Sequence, residues 1–78
     1  MDVHRKLARQ WLNGSSRRAF YAVLDEAKIT PRQMRICEMK FVEYKTNYQI
    51  AMELNVSVKT IDREISTAYK AINRVLLA

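Results

Sequence analysis

Two four-residue stretches with the same pattern indicate where helices begin in this chain. Thr30-Pro31-Arg32-Gln33 and Thr46-Asn47-Tyr48-Gln49 each place a Thr three residues before a Gln. In this capping-box pattern the Thr and Gln side chains each bond a backbone amide at the start of a helix. Pro31 suits the first helical position, because its missing N–H would have no partner there. The pattern therefore predicts helices starting at residues 31 and 47.

Apolar side chains at helical spacing predict further helices. The stripes of the first two lie at Val3, Leu7, Ala8 and Trp11, and at Ala19, Phe20, Val23, Leu24 and Ala27. Asn13-Gly14 separates these helices, and Ser15 or Ser16 can cap the second. With one Gly and one Pro among 78 residues, the chain is predicted to be all-α. We expect a small bundle of about five helices, near residues 2–13, 16–28, 31–44, 47–54 and 58–77.

The third predicted helix has a broad apolar face. We expect Ile36, Cys37, Phe41 and Tyr44 on that face, with Met39 and Val42 toward the other side. Lys40 interrupts the face, and its aliphatic stem can lie along apolar surface while the amine stays in water.

The segment Asn55-Val56-Ser57 separates the last two predicted helices. Asn tolerates a left-handed backbone conformation, and Ser is a good N-cap. With Ser57 as cap, Val56 and Ile61 occupy the two positions of a hydrophobic staple, which fixes the angle at which the last helix departs. The sequence predicts a tight turn and a helix-turn-helix at residues 29–78, preceded by a helical extension, 1–28, within a single domain.

The last predicted helix has one apolar and one basic face. The core face comprises Ile61, Ile65, Ala68, Ile72, Val75 and Leu76, and the outward face comprises Lys59, Arg63, Ser66, Thr67, Lys70 and Arg74. The acids Asp62 and Glu64 are predicted to flank the outward face. A solvated surface would explain Lys70 and Arg74 equally well, but it explains less well the cluster of Lys59, Thr60 and Arg63 in the first turns.

Composition excludes several classes of function. The net charge of +6 and the pI near 9.8 favour a polyanionic partner. A single Cys and a single His cannot form a multi-ligand zinc site or an intrachain disulfide. The acids show no catalytic pairing, so we expect no enzyme, no cofactor and no metal. No apolar run suits a membrane span or a signal peptide, so we expect no membrane partner and a cytoplasmic location.

These observations predict binding to double-stranded DNA through the last two helices. In helix-turn-helix proteins the first turns of the second helix contact base edges, while the preceding helix lies across the phosphate backbone. The predicted contacts are Lys45, Thr46, Asn47, Tyr48, Gln49, Ser57, Lys59, Thr60, Arg63, Ser66, Thr67 and Lys70. Thr46 and Gln49 can serve as caps at the same time.

The strings ITPRQMRICEMKF and YQIAMELNVSVKTIDREISTAYKAI resemble the helix-turn-helix of bacterial sigma-factor region four and of LuxR-type regulators. The resemblance covers somewhat more than half of the chain. It implies DNA contact for Lys59, Thr60 and Arg63, phosphate contact for the start of the fourth helix, and core positions for Ile50, Ala51, Leu54, Val56, Ile61 and Ile65.

The chain departs from that family at two positions. Asn55 stands where Gly is usual, and Glu64 stands where LuxR-type proteins often have His. An acid at position 64 would repel phosphate unless it pairs with a neighbour or accepts from a cytosine amino group. The family's accessory domains are absent from these residues, so the chain resembles the small stand-alone regulators of phages and mobile elements.

Three hypotheses follow for the function, and three interpretations for the N-terminal part. The first is a sequence-specific transcription regulator, alone or as a homodimer with recognition helices about one DNA turn apart. The second is a sigma-like module that docks on RNA polymerase or another protein, and the third is the DNA-recognition part of a phage small terminase. The basic side of residues 1–28 could be a second phosphate patch, a partner surface or a solvated face, and we expect the last of these. It comprises Arg5, Lys6, Arg9, Arg17 and Arg18.

Overall fold

Five helices, one of them extended by a π-helical turn, account for most of the chain. The computed structural model describes residues 3–78, with side chains from residue 7 onward. Its elements are α1 (Val3–Gly14), α2 (Arg17–Ala27), α3 (Pro31–Cys37) continued by a π-helical segment (Glu38–Val42), α4 (Asn47–Leu54) and α5 (Val58–Leu76). No strand occurs within residues 3–78. The all-α prediction with five helices is therefore confirmed for this part of the chain. The predicted start at residue 2 and the predicted roles of the Val3, Arg5 and Lys6 side chains lie outside the described part.

Side-chain caps fix the starts of four helices. In both predicted capping boxes the Gln amide donates to the Thr hydroxyl at 3.1 Å, and the Gln side-chain oxygen accepts from the Thr amide. Ser16 and Ser57 cap α2 and α5 by accepting from the amides of Ala19 and Thr60. Such caps contribute about 1 kcal/mol each, because they satisfy amides that a helix start would otherwise leave without a partner.

The third helix differs from its prediction. A single α-helix was expected near residues 31–44, but after Cys37 the backbone adopts π-helical hydrogen bonding, with the Glu43 amide bonded to the Glu38 carbonyl at 3.0 Å. Tyr44 follows with φ at 58°, so helical periodicity ends before it. Tyr44 is 82% exposed instead of buried, and Met39 is fully buried instead of facing outward. Met39 lies three residues after Ile36 and therefore on the same side of the helix.

The core surrounds α5, which contacts α1, α2, α3 and α4. Ile61, Ile65, Ala68 and Ile72 are buried as predicted, while Val75 and Leu76 are half-buried. Tyr69 and Asn73 are also buried, which the predicted stripe did not include. Four neighbouring helices cover a wider arc of α5 than one stripe of residues occupies, and this explains the difference.

The N-terminal helices complete this core. Phe20 and Leu24 are buried, and Trp11 packs against the cluster, as predicted. Tyr21 packs against it as well. On α1, Leu12 is buried although it was not in the predicted stripe, and Leu7 is 37% exposed. The aromatic rings of Phe20, Phe41 and Tyr69 follow one another with centroids 6.3 Å apart, which joins α2 and the π-helical segment to α5. None of the helices within residues 3–78 combines the length and apolar composition that a bilayer crossing requires.

Candidate nucleic-acid interface

The turn between α4 and α5 has the predicted geometry. Asn55 is left-handed, with φ 58° and ψ 45°, and its amide bonds the carbonyls of Ala51 and Met52. Val56 is half-buried against the core, and its amide bonds the Ala51 carbonyl at 3.0 Å. The turn is thus held by backbone hydrogen bonds to α4 and by the packing of Val56, and both fix the direction in which α5 leaves.

The predicted contact residues of α5 lie on its outer side. Lys59, Arg63, Thr67 and Lys70 are exposed, whereas Thr60 and Ser66 are half-buried. The hydroxyls of Ser57 and Thr60 are 2.9 Å apart and bond each other. Ser57 and Thr60 therefore satisfy one another at the start of the helix, and the exposed donors of its first turns are Lys59 and Arg63.

The acidic side chains of α5 contact other helices. The Asp62 carboxylate accepts from the Asn47 side-chain amide of α4 at 2.8 Å. The Glu64 carboxylate accepts from Gln33 of α3 at 3.4 Å and lies 4.0 Å from the Arg32 guanidinium. Glu64, the acid that departs from the family pattern, thus has neighbours that offset its charge.

The cations of α5, unlike its acids, have no such polar contacts within the described residues. Lys59, Arg63, Lys70 and Arg74 form no ion pair and no side-chain hydrogen bond within the described residues. The helix therefore presents positive charge on its outer side, while its negative charge is directed to both flanks. Such a separation attracts a polyanion more strongly than evenly mixed charges would.

The predicted contacts at the start of α4 have mixed roles. Thr46 and Gln49 are exposed and cap the helix. Asn47 accepts from Lys40 at 2.8 Å with its side-chain oxygen and donates to Asp62 with its nitrogen, so it connects the π-helical segment, α4 and α5. Tyr48 is 65% exposed and forms no side-chain hydrogen bond with the residues that the structure describes.

Lys45, the last predicted contact, belongs to an ion-pair network. Its ammonium lies 2.9 Å from Glu43 and 2.5 Å from Glu53, and Glu43 also pairs with Arg35 at 2.7 Å. These contacts raise the pKa of Lys45, chiefly through Glu53, and lower the pKa of Glu43, chiefly through Lys45. The two positive charges of this network, on Lys45 and Arg35, are balanced by the two negative charges of its acids. Lys45 therefore contributes less to the positive surface than its sequence position suggested.

Sequence reasoning missed the residues that organise these charges. Arg32 and Lys40 were not assigned to the interface, yet they contact Glu64 and Asn47. Arg32 lies in the first predicted capping box, so its place at a helix start could have been recognised. The partners of Lys40 could not have been recognised from the sequence, because they depend on how α4 approaches the π-helical segment.

No cluster of residues that could hold a metal ion occurs within the described part of the chain. Cys37 is buried, and burial raises its pKa to about 12, so its thiol is protonated at neutral pH. Comparison of the whole chain with protein-family models, curated proteins and solved structures finds no match in any of the three.

Proposed function

We propose that this protein is a small sequence-specific transcription regulator that binds duplex DNA, with α4 and α5 acting as a helix-turn-helix and α5 entering the major groove. The observation that carries the proposal is the separation of charge on α5. Asp62 and Glu64 contact side chains of α4 and α3, whereas Lys59 and Arg63 extend from the exposed side of the first turns.

The roles of the exposed residues follow from their chemistry. Arg63 is the best donor for the two acceptors on the major-groove edge of guanine, because its guanidinium can bond both at once. Lys59, near the helix start, suits either a base or a phosphate. Lys70 lies seven residues beyond Arg63, about two turns along the helix, and is assigned to the backbone.

The α4 side of the interface is assigned to backbone contact. Tyr48 offers an exposed hydroxyl, a group that commonly bonds phosphate oxygens. Asn47 is reassigned from direct DNA contact to a positioning role, because both ends of its amide contact other side chains. It keeps the Asp62 carboxylate directed at α4, so that this negative charge is not added to the outer face.

Selection of bound sequences from random duplex DNA tests the proposal. We expect recovery of a preferred site containing at least one G·C pair that Arg63 recognises. A single site is expected for a monomer, and two sites about 10 base pairs apart for a homodimer. Failure to enrich any sequence, with no retention of duplex near 50 mM salt, the low end of such titrations, would contradict it.

Salt dependence provides an independent check. Each neutralised phosphate contributes about −0.9 to the slope of log K against log salt, and we expect roughly four to eight phosphates per bound unit. A slope near zero would contradict the proposal, because it would mean that the positive face does not meet the DNA backbone.

A second candidate function is docking on RNA polymerase or another protein. The observation that favours it is the exposed pair Tyr48 and Met52, which lie four residues apart on one side of α4 and are 65% and 66% exposed. Binding to purified RNA polymerase in the absence of DNA, lost in Met52→Lys and kept in Arg63→Ala, would support this alternative. If the protein binds DNA but not RNA polymerase, and if Met52→Lys leaves the affinity for DNA unchanged, the result would count against this alternative.

A further inference from the structure

Tyr44 occupies an unusual place at the end of the π-helical segment. It has a left-handed backbone with φ at 58°, and its side chain is 82% exposed. A bulky residue is rare in this conformation, which costs roughly 1–2 kcal/mol. An exposed ring gains little from packing, so the fold itself does not account for a Tyr here. Strained backbone of this kind, and π-helical turns, occur often at functional sites.

Two shallow clefts meet at the Tyr44 side chain. Arg9, Lys40 and Lys45 line one, Arg17 and Ser15 lie in the other, and both clefts share Asn13, Phe41 and Tyr44. The clefts therefore join α1 and the start of α2 to the corner that precedes α4. Each contains an exposed arginine, Arg9 in the first cleft and Arg17 in the second.

The charge around Tyr44 is positive after its neighbours are counted. Lys45 is offset by Glu43 and Glu53. Lys40 bonds Asn47 and has a further interaction within the protein, so its charge is not counted here. Arg9 and Arg17 form no ion pair or side-chain hydrogen bond within the described residues. Two arginines therefore line the clefts together with Tyr44 and Asn13, and guanidinium, hydroxyl and amide groups all donate to phosphate oxygens.

The Tyr44 corner is connected to α5 through the π-helical segment and α4. Lys40, in the first cleft, bonds Asn47 at 2.8 Å, and Asn47 bonds Asp62 of α5 at 2.8 Å. Two hydrogen bonds therefore separate the cleft from the helix proposed to enter the major groove. A duplex bound on α5 would carry further phosphates beyond the segment that α5 contacts, because the DNA backbone is continuous along the groove edge.

We propose that Arg9 and Arg17, which line the two clefts that share Tyr44, contact backbone phosphates of the DNA next to the segment that α5 contacts. This inference rests on the proposed function and assigns a role to residues 1–28, whose basic side we had expected to be solvated. The ligand is the phosphodiester backbone, so the contact adds affinity without sequence preference.

The test compares two adjacent arginines of α2. Arg17 lines a cleft and Arg18 lines neither, although both are exposed and lie in the first turn of the same helix. Binding of a random-sequence duplex is titrated against salt for wild type, Arg9→Gln/Arg17→Gln and Arg9→Gln/Arg18→Gln, with Arg63→Ala in parallel. We expect the first double variant to reduce the slope of log K against log salt by about 2, and the second by about 1.

The outcomes separate this inference from the proposed function. A slope reduced by only about 1 in both double variants would overturn the assignment of Arg17. A slope unchanged from wild type in both would overturn the assignment of both arginines, and neither result would change the role of α5. A slope reduced by about 2 in Arg9→Gln/Arg17→Gln, together with no effect of Arg63→Ala on affinity for a selected site, would support the Tyr44 corner and contradict the role of α5. No duplex binding by wild type would overturn both.

Discussion

The side-chain amide of Asn47 donates a 2.8 Å hydrogen bond to the carboxylate of Asp62, and its oxygen accepts from Lys40 at the same distance. One neutral residue thus connects α4, α5 and the π-helical segment. The contact directs an acid of α5 toward α4, and Glu64 is directed in a comparable way toward Arg32 and Gln33 of α3. These contacts leave the outer side of α5 positive.

Replacing Asn47 tests whether this residue positions Asp62 or contacts DNA directly. Asn47→Ala removes both hydrogen bonds, so we expect the free energy of unfolding to fall by about 0.5–1.5 kcal/mol and DNA affinity to weaken as the Asp62 carboxylate is released. The double variant Asn47→Ala/Asp62→Ala should restore affinity, because it also removes the released carboxylate. A titration with labelled duplex measures the affinity of each variant. If the double variant binds no better than Asn47→Ala, Asn47 contacts DNA itself.

Ile61 is expected to matter for stability and not for contact with DNA. It is fully buried at the start of α5, so Ile61→Ala should lower the free energy of unfolding by about 2–5 kcal/mol in urea denaturation. Met52→Ala is the matched control, because Met52 is 66% exposed and its loss should change stability by about 0.5 kcal/mol or less. Equal losses in the two variants would contradict the burial described for α5.

The left-handed residues Tyr44 and Asn55 should respond differently to glycine. Tyr44→Gly relieves the strain of a bulky residue at φ 58° and loses little packing, so stability should rise by about 1 kcal/mol. Asn55→Gly should change stability less, because Asn tolerates this conformation. Thermal unfolding measures both. If Tyr44 belongs to the phosphate contact, its Gly variant should be more stable and yet bind DNA more weakly; a loss of stability would contradict the described backbone.

Cys37 should be unreactive in the folded protein. Burial raises its pKa to about 12, so at pH 8 the thiol is protonated and out of reach of iodoacetamide. In urea the thiol returns to an ordinary pKa of about 8.5 and should alkylate readily. Mass spectrometry at timed intervals measures the difference. Rapid alkylation of the native protein would show that α3 opens or that Cys37 is not in the core.

The sequence was sufficient for the features that depend on local interactions. Both capping boxes, the left-handed Asn55 and the Ser57 cap follow from side chains bonding a backbone only a few residues away, and all four were predicted. The π-helical turn after Cys37 was not predicted, because nothing in the local pattern distinguishes it from an α-helix. Tyr44 was consequently placed in the core.

The arrangement of charge depends on tertiary contacts and was predicted only in part. The basic side of α5 follows from its helical period, but the partners of Asp62 and Glu64 lie 15 and 31 residues earlier in the chain. Lys45 was expected to be available to phosphate, and its pairing with Glu43 and Glu53 emerged only from the fold. Sequence spacing cannot supply such distances, because they depend on how helices pack against one another.

The most direct test of the central claim compares Arg63→Ala with Lys70→Ala on a selected DNA site and on variants of that site at each base pair. Both side chains are exposed and neither forms an ion pair within the described residues, so both variants should fold with wild-type stability to within about 0.5 kcal/mol. We expect Arg63→Ala to lose about 1–3 kcal/mol of binding and to lose its preference at one base pair, and Lys70→Ala to weaken all sites equally. If Arg63→Ala keeps full affinity and sequence preference while Lys70→Ala abolishes binding, the first turns of α5 do not enter the major groove.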